Sequence, residues 1–450
     1  MIRPPSVATT LWEGDTLPEL EWHDRLGITD TQFRSLASDR VLRLSTGGQI
    51  PKYRLDLVGL LFTRDHAFTV LPKIFRNAAN LSVARDSIAC VRIYLSRLKR
   101  RLRHAEASEI LSAHNSGAKS VDILLALIDW TLDRGFHAED FEARSDESFD
   151  IDWIATMDQG IPLHVGRSVI YSEIIGRRAS YQLGPLARLQ AQALLTLHQQ
   201  LQPSSLLWLA EHDSILEQAA QITSEIAAVD DASISDLDAL ADFLGICNRD
   251  HDRELASILF DWLSDGRRSP DQPTAFGTTA FQFVWEDMCE VATTGLGDPL
   301  SHKDIASQPG YLVGESHVET AGQRPDIIRR LDDGICILDA KWYDISRQEW
   351  PGAPDVVKQV MYQASVVESQ QVLCNAFLVP VDEGDAEPRV IGMAHMAVGG
   401  EADVRFPPVD VMAIPWKTAV AAYCGLAKGN RIADAIRGAA GDAKTLTCVV

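Results

Sequence analysis

The stretch from Gln323 to Tyr343 constrains the fold of this chain more than any other. It reads Gln-Arg-Pro-Asp-Ile-Ile-Arg-Arg-Leu-Asp-Asp-Gly-Ile-Cys-Ile-Leu-Asp-Ala-Lys-Trp-Tyr. Pro325-Asp326 opens one β-prone run, Asp332-Asp333-Gly334 turns it, and Ile335 to Leu338 leads into Asp339-Ala340-Lys341. An Asp-Gly turn between two such runs predicts a hairpin. Side chains alternate along a strand, so Asp339 and Lys341 emerge on one face, and the adjoining strand brings Asp326 toward them. Two carboxylates and a lysine at the end of a buried hairpin are costly unless something compensates them. A divalent metal does so, and hard oxygen ligands favour Mg²⁺, with Mn²⁺ as a substitute. In this reading Asp326 and Asp339 hold the ion together with the Ala340 carbonyl. Lys341 orients or helps deprotonate an attacking water and offsets charge on a phosphorane-like transition state. The blander alternative is a surface hairpin whose acids are solvated and whose lysine pairs with one of them.

Pro-Asp followed by Asp-x-Lys, with thirteen residues from Asp326 to Asp339, resembles the PD-(D/E)xK nuclease superfamily. The resemblance implies an α/β core of helix, hairpin, helix, strand and strand, running from about Pro273 to Cys424. Phe281 to Glu290 has helical periodicity, with Phe281, Val284, Trp285 and Met288 on its apolar side. The resemblance places Glu286 on that helix in the catalytic and metal set, with Glu290 one turn on as a weaker candidate; the alternative is a solvated acidic face. A second helix is expected from Asp355 to Ser369, with Val356, Val357, Val360, Met361, Ala364 and Val367 as its buried stripe. By the same resemblance Gln359 and Tyr362, near Lys358, pack beside the hairpin and touch the phosphate or a water. Cys374 to Val381 and Arg389 to Val398 read as the two remaining strands.

Further residues narrow the likeness. Phe283-x-Trp285-Glu286, Arg324-Pro-Asp-Ile and Leu338-Asp-Ala-Lys-Trp-Tyr343 resemble the LlaJI-type restriction endonucleases and the McrC-like nuclease subunits. Leu57 to Phe62, Ala67 to Phe75 with its Pro72-Lys73, and Ile151 to Thr156 followed by Ile161-Pro162 are similar to front and middle segments of those families. The resemblance implies a DNA endonuclease subunit of a prokaryotic restriction or antiphage system, working with a separate McrB-like AAA+ GTPase. This sequence has no Gly-x-x-x-x-Gly-Lys-Ser/Thr, so a nucleotide-driven step has to come from a partner. A different class of reading is a catalytically silent adaptor of the same fold that binds DNA or regulates an AAA+ chain. A third is a relative that acts on RNA or in repair.

The rest of the chain is read more coarsely, as an α/β, α+β multidomain protein. Residues 1–140 are expected as a β-rich and then helical domain, residues 141–268 as a mainly helical middle region, and residues 269–450 as the nuclease domain. Gly47-Gly48 and Arg64-Asp65-His66 mark turns, residues 138–152 an exposed acidic connection or boundary, and Asp265 to Pro273 a linker. Helical stripes include Leu189, Ala193, Leu194 and Leu197, then Leu206 to Leu209 and Ile215. Apolar runs fall short of about 18 residues, no amino-terminal signal pattern is present, and the seven scattered cysteines form no Cys-x-x-Cys. A cytoplasmic protein is expected. His251-Asp252 reads as charge pairing at a helix end rather than a metal site, Cys289 and Cys336 as core residues, and Trp342 and Tyr343 as core rather than base-stacking aromatics.

The net charge of −21 sits awkwardly with a DNA partner, because counterion release favours basic proteins. One local exception is the run containing Arg97, Lys99, Arg100, Arg101 and Arg103, which either follows a phosphate backbone or stays solvated beside acidic residues. Cutting both strands of a duplex needs two active sites, so a homodimer is expected.

Overall fold

Val58–Phe62 and Ala67–Leu71 are buried at every position, as strands covered on both faces must be. In the computed structural model they pair antiparallel; Thr10–Trp12 joins one edge in parallel and Thr274–Thr278 the other in antiparallel register. The structure describes residues 10–45, 50–63, 66–76, 81–102, 118–145, 150–151, 153–159, 161–166, 168–172, 176–183, 185–201, 213–226, 240–241, 244–245, 249–264, 273–308, 310–313, 316–319, 324–382, 386–399, 401–427 and 431–447. The chain divides into two units, residues 1–118 with 271–450, and residues 119–270. It is a mixed α/β protein with several sheets.

In the first unit a three-stranded sheet, Thr16–Pro18, Lys52–Leu55 and Leu42–Ser45, accompanies the four-stranded one. Two helices absent from the β-rich expectation, Glu19–Leu26 and Asp30–Ser38, pack Trp22, Leu26, Phe33 and Leu36 against Leu11, Leu55 and Val70. The second begins at a capping box: Thr29 Oγ1 accepts from Gln32 N at 3.4 Å and Gln32 Oε1 accepts from Thr29 N at 2.8 Å.

A five-stranded sheet carries the hairpin. Its order is Ile327–Leu331, Gly334–Ala340, Val372–Val381, Val409–Pro415, Arg389–Ala394, with the three central strands parallel and both edges antiparallel. Val409–Pro415, which sequence reading passed over, lies between the two strands it had made consecutive. The Phe281–Ala292 helix buries Phe281, Val284, Trp285 and Met288 as foreseen. Trp285 Nε1 donates to Leu378 O at 3.1 Å and so ties that helix to the central strand.

Three other expectations are corrected. The second helix is Ala353–Ala364, shorter than foreseen, because residues beyond it turn to pair with the 305–307 segment through Val367 N to Ile305 O. Its buried positions are Gln359 and Val360, while Val357 and Met361 are exposed. Arg389 to Val398 is two strands, Arg389–Ala394 and Ala397–Val398.

In the second unit the acidic run is not a connection. Ala138–Ser145 and Asp150–Ile151 flank Gly176–Leu183 in an antiparallel sheet, so a partner twenty-five or more residues away satisfies their backbone. Pro162–Val165 and Ser168–Tyr171 form a hairpin, and the helices Pro185–Leu201, Asp213–Ile226 and Asp250–Ser264 follow. His251 and the buried His137 both approach the Asp252 carboxylate, at 3.0 and 3.1 Å. Gly47-Gly48, Arg64-Asp65, Leu206 to Leu209 and most of the expected linker lie outside the described residues. Among the described residues no helix is long and apolar enough to cross a membrane.

Candidate active site

The hairpin turns through Asp332 and Asp333, and Gly334 already pairs with Leu331. Gly334 is needed for space rather than for the turn. A Cβ there would lie 2.3 Å from the Gln371 carbonyl oxygen of the neighbouring segment. The antiparallel ladder ends at Ile327 opposite Leu338. At the next position a side chain replaces the backbone, and Ala340 N donates to Asp326 Oδ2 at 2.9 Å. On the other side Lys341 N donates to Leu378 O at 2.9 Å. Asp326 is thereby fastened to the peptide that separates Asp339 from Lys341.

Asp339 is buried, and its Oδ2 forms an ion pair with Lys341 Nζ. Lys341 also lies 3.6 Å from Asp355 Oδ1. Burial alone pulls the lysine pKa down, but Asp339, Asp326 and Asp355 outweigh it, and the ammonium holds its proton well above the usual range. The acids respond the other way. Asp326 is open on its outer side, yet the protein packed behind it, with Asp339 and Glu286 nearby, pushes its pKa up to about 8. Burial raises half-buried Glu286 to about 7, with Lys341 opposing and Asp339 adding to the rise. The Trp285 helix therefore carries Glu286 into electrostatic contact with the hairpin residues.

The remaining sequence candidates take different places. Gln359 is buried away from solvent and donates to Asn375 Oδ1 at 2.8 Å, inside the sheet. Tyr362 packs on Ile305, Ile328 and Ile337, and feels both Asp326 and Asp339. Glu290 is exposed, and its backbone carbonyl accepts from buried Arg329 at 2.9 Å. Arg97 is paired with buried Asp287 at 3.2 Å and lies over the Tyr423 ring. The side chains of Lys99, Arg100 and Arg101, and the whole of Arg103, lie outside the described residues. Trp342 is buried among Phe281, Trp285 and Trp416.

Two acids escaped sequence reading. Asp355 accepts from Tyr343 Oη at 2.8 Å and from Gly352 N at 3.2 Å while facing Lys341. Its place as the N3 residue of a helix after Pro354 was the only available signal. Glu13 accepts from Trp342 Nε1 at 2.9 Å and from Lys73 N at 3.3 Å, and burial raises its pKa. Nothing local marks it, since its partners lie sixty and more residues away.

A cleft of about 740 Å³ opens beside Lys341. Glu286, Ala340, Lys341 and Asp355 line it together with Glu13, Lys73, Arg40, Arg43 and Arg54 from the amino-terminal segment. Among the described residues no three Asp, Glu, His or Cys side chains are gathered as a preformed metal cage. Magnesium does not demand one, since it keeps waters and takes one or two carboxylates. The donor set fits such an ion: three oxygen-bearing acids share one lysine, and burial, with repulsion between the acids added to it, raises two of them.

The family described as LlaJI restriction endonuclease matches residues 57–413. No curated protein matches the chain. Among solved structures, a refined half-complex of a tetradecameric assembly of Thermococcus gammatolerans McrB AAA+ hexamers with bound McrC is similar at 10% identity and TM-score 0.41, covering 93% of this chain and 98% of that one. A cryo-EM structure of the Thermococcus gammatolerans McrBC complex gives 10% identity and TM-score 0.25, with 57% and 79% covered.

Proposed function

This chain belongs to the LlaJI restriction endonuclease family, and on that premise we propose that it is a divalent-metal-dependent DNA endonuclease subunit of a prokaryotic restriction or antiphage system. The observation that carries this reading is that Asp339 pairs with Lys341, Asp326 is fastened to the peptide between them, and Glu286 lies within electrostatic reach of both Asp339 and Lys341, with Asp326 and Glu286 held above the ordinary carboxylate range. Those three acids, with the Ala340 carbonyl, are the groups that would hold Mg²⁺ or Mn²⁺, and a bound ion would supply Lewis-acid charge to the scissile phosphodiester. Lys341 stays protonated in this arrangement, which favours charge stabilisation over proton abstraction. Asp355 holds Lys341 from its other side, and Tyr343 steadies Asp355. Tyr362, within electrostatic reach of Asp326 and Asp339, is the proposed phosphate contact, whereas Gln359 supports the sheet beneath. A separate AAA+ GTPase of the McrB kind is the proposed motor, since this chain has no phosphate-binding loop of its own. Cutting both strands implies two copies.

Cleavage of methylated and unmethylated supercoiled plasmid with Mg²⁺ or Mn²⁺, with and without a co-encoded AAA+ GTPase, tests the reading. Nicking or linearisation that disappears in Asp339→Ala and Lys341→Ala supports it. Folded wild-type protein that cuts under none of these conditions leaves the adaptor reading in its place.

A further inference from the structure

A chain of net charge −21 that handles DNA needs a local basic surface to meet the phosphates. Arg97 does not provide one, because buried Asp287 engages it. The cleft wall formed by the amino-terminal segment does. Arg43 and Arg54 are direct cross-strand partners in the Leu42–Ser45 and Lys52–Leu55 pair, where like charges repel. Buried Asp56 lies between them, 3.3 Å from Arg43 Nε and 2.5 Å from Arg54 Nε. Asp56 is one carboxylate against two guanidiniums, and Glu13, whose pKa burial raises, is the other acid within electrostatic reach of Arg54. Both arginine side chains remain about half exposed, at 56% and 47%.

Arg40 adds a third cation, and its backbone is unusual. Its φ is +61°, in the left-handed region that glycine enters most easily. Arg40 N donates to Ala37 O at 3.1 Å and Val41 N to Leu36 O at 2.9 Å, which is a Schellman ending of the Asp30–Ser38 helix with arginine in glycine's usual place. Its exposed side chain has no acidic partner among the described residues. Arg40, Arg43 and Arg54 line the same cleft as Glu286, Ala340 and Lys341.

We infer that Arg40, Arg43 and Arg54 grip the phosphodiester backbone of duplex DNA where it enters the cleft toward Lys341. The inference rests on the nuclease reading above and adds the surface that takes the substrate. Guanidinium groups suit it, because their planar fork binds phosphate oxygens in pairs. Asp56 orients two of the three, and Arg40 retains a strained backbone that glycine would relieve.

The test is a fluorescence-anisotropy titration of a short fluorescein-labelled DNA duplex by the full chain, in Ca²⁺, across a salt series. Arg40→Gly is the decisive variant. It is expected to melt at the same temperature or higher, because glycine accepts the left-handed backbone. It should nevertheless bind roughly tenfold more weakly, with a log K against log salt slope shallower by about 0.9. Arg43→Gln with Arg54→Gln should flatten the slope further, and Arg43→Lys with Arg54→Lys should largely restore it. Should the double glutamine variant not fold, Arg40→Gly alone carries the test. Unchanged affinity and salt slope in folded Arg40→Gly, from a wild type that binds and cuts, would overturn the grip and leave the nuclease standing. Folded wild type that neither binds nor cuts DNA, alone or with a co-encoded AAA+ chain, would remove both.

Discussion

Asp326 combines a structural contact with an unfavourable place for its charge. It closes the hairpin by accepting from Ala340 N, and it does so in a place where burial, Asp339 and Glu286 all resist its charge. The sign of the consequence is fixed. An acid whose folded pKa is raised binds more protons when folded than when unfolded, so stability falls as pH rises between the two values. For Asp326 at about 8 and Glu286 at about 7, that window opens near the ordinary carboxylate pKa and closes near pH 8. In EDTA, thermal melting should therefore give a lower Tm at pH 8.5 than at pH 6, by a few degrees at roughly 2–4 °C per kcal/mol. Adding Mg²⁺ should recover most of the difference at the higher pH, since a ligand bound only by the folded state stabilises it. Asp339→Asn, which removes one of the repelling charges, should flatten the metal-free profile. A flat wild-type profile would mean that burial and the neighbouring acids do not raise Asp326 and Glu286 in the folded protein.

At the scale of elements, two glycines face each other where the amino-terminal sheet takes its last strand. Gly59 and Gly277 are register partners with φ of +143° and +154°. A Cβ on Gly59 would lie 2.1 Å from Phe276 O, and one on Gly277 would lie 2.2 Å from Val58 O. Gly59→Ala should destabilise the protein by about 2–4 kcal/mol, through backbone strain and forced separation of the strands. Denaturant melts would show it, and a loss under about 0.5 kcal/mol, the size of an ordinary surface change, would contradict the close packing. The same pairing marks the limit of what local pattern reveals. Ile335 to Leu338 and the Trp285 helix were legible because apolar runs and periodicity declare a covered face, and the two all-buried strands through resemblance. The helix past Ala364, the place of Val409–Pro415 and the strands made by the acidic run were not. Each depends on a partner far along the chain. Asp326, Asp339 and Lys341 could be read together because one turn joins them, and Glu286 through resemblance; Asp355, Glu13 and Arg40 meet the cleft only through tertiary packing.

At the scale of the whole molecule, the unit that holds the cleft is discontinuous: residues 1–118 and 271–450 form it, and residues 119–270 form the other. The two parts of the first unit share more than a surface. Thr274–Thr278 completes the amino-terminal sheet, Phe75 packs edge-on against Trp416 at 5.2 Å, and Glu13 accepts from Trp342. Removing residues 1–118 would strip a sheet edge of its ladder and expose Trp342 and Trp416, both at most 8% exposed in the intact chain. An expressed 269–450 segment should therefore bind the dye ANS, lose near-ultraviolet circular dichroism and melt without a cooperative transition, the marks of lost side-chain packing. Co-expression with a separate 1–118 segment should restore a single transition, because the strand pairing and the aromatic contacts need proximity rather than continuity. A sharp, ANS-silent melt from 269–450 alone would show that the five-stranded sheet and its helices suffice. The amino-terminal segment would then serve the cleft wall only, and the loss of Arg40, Arg43 and Arg54 with it would weaken DNA binding in a protein that still folds.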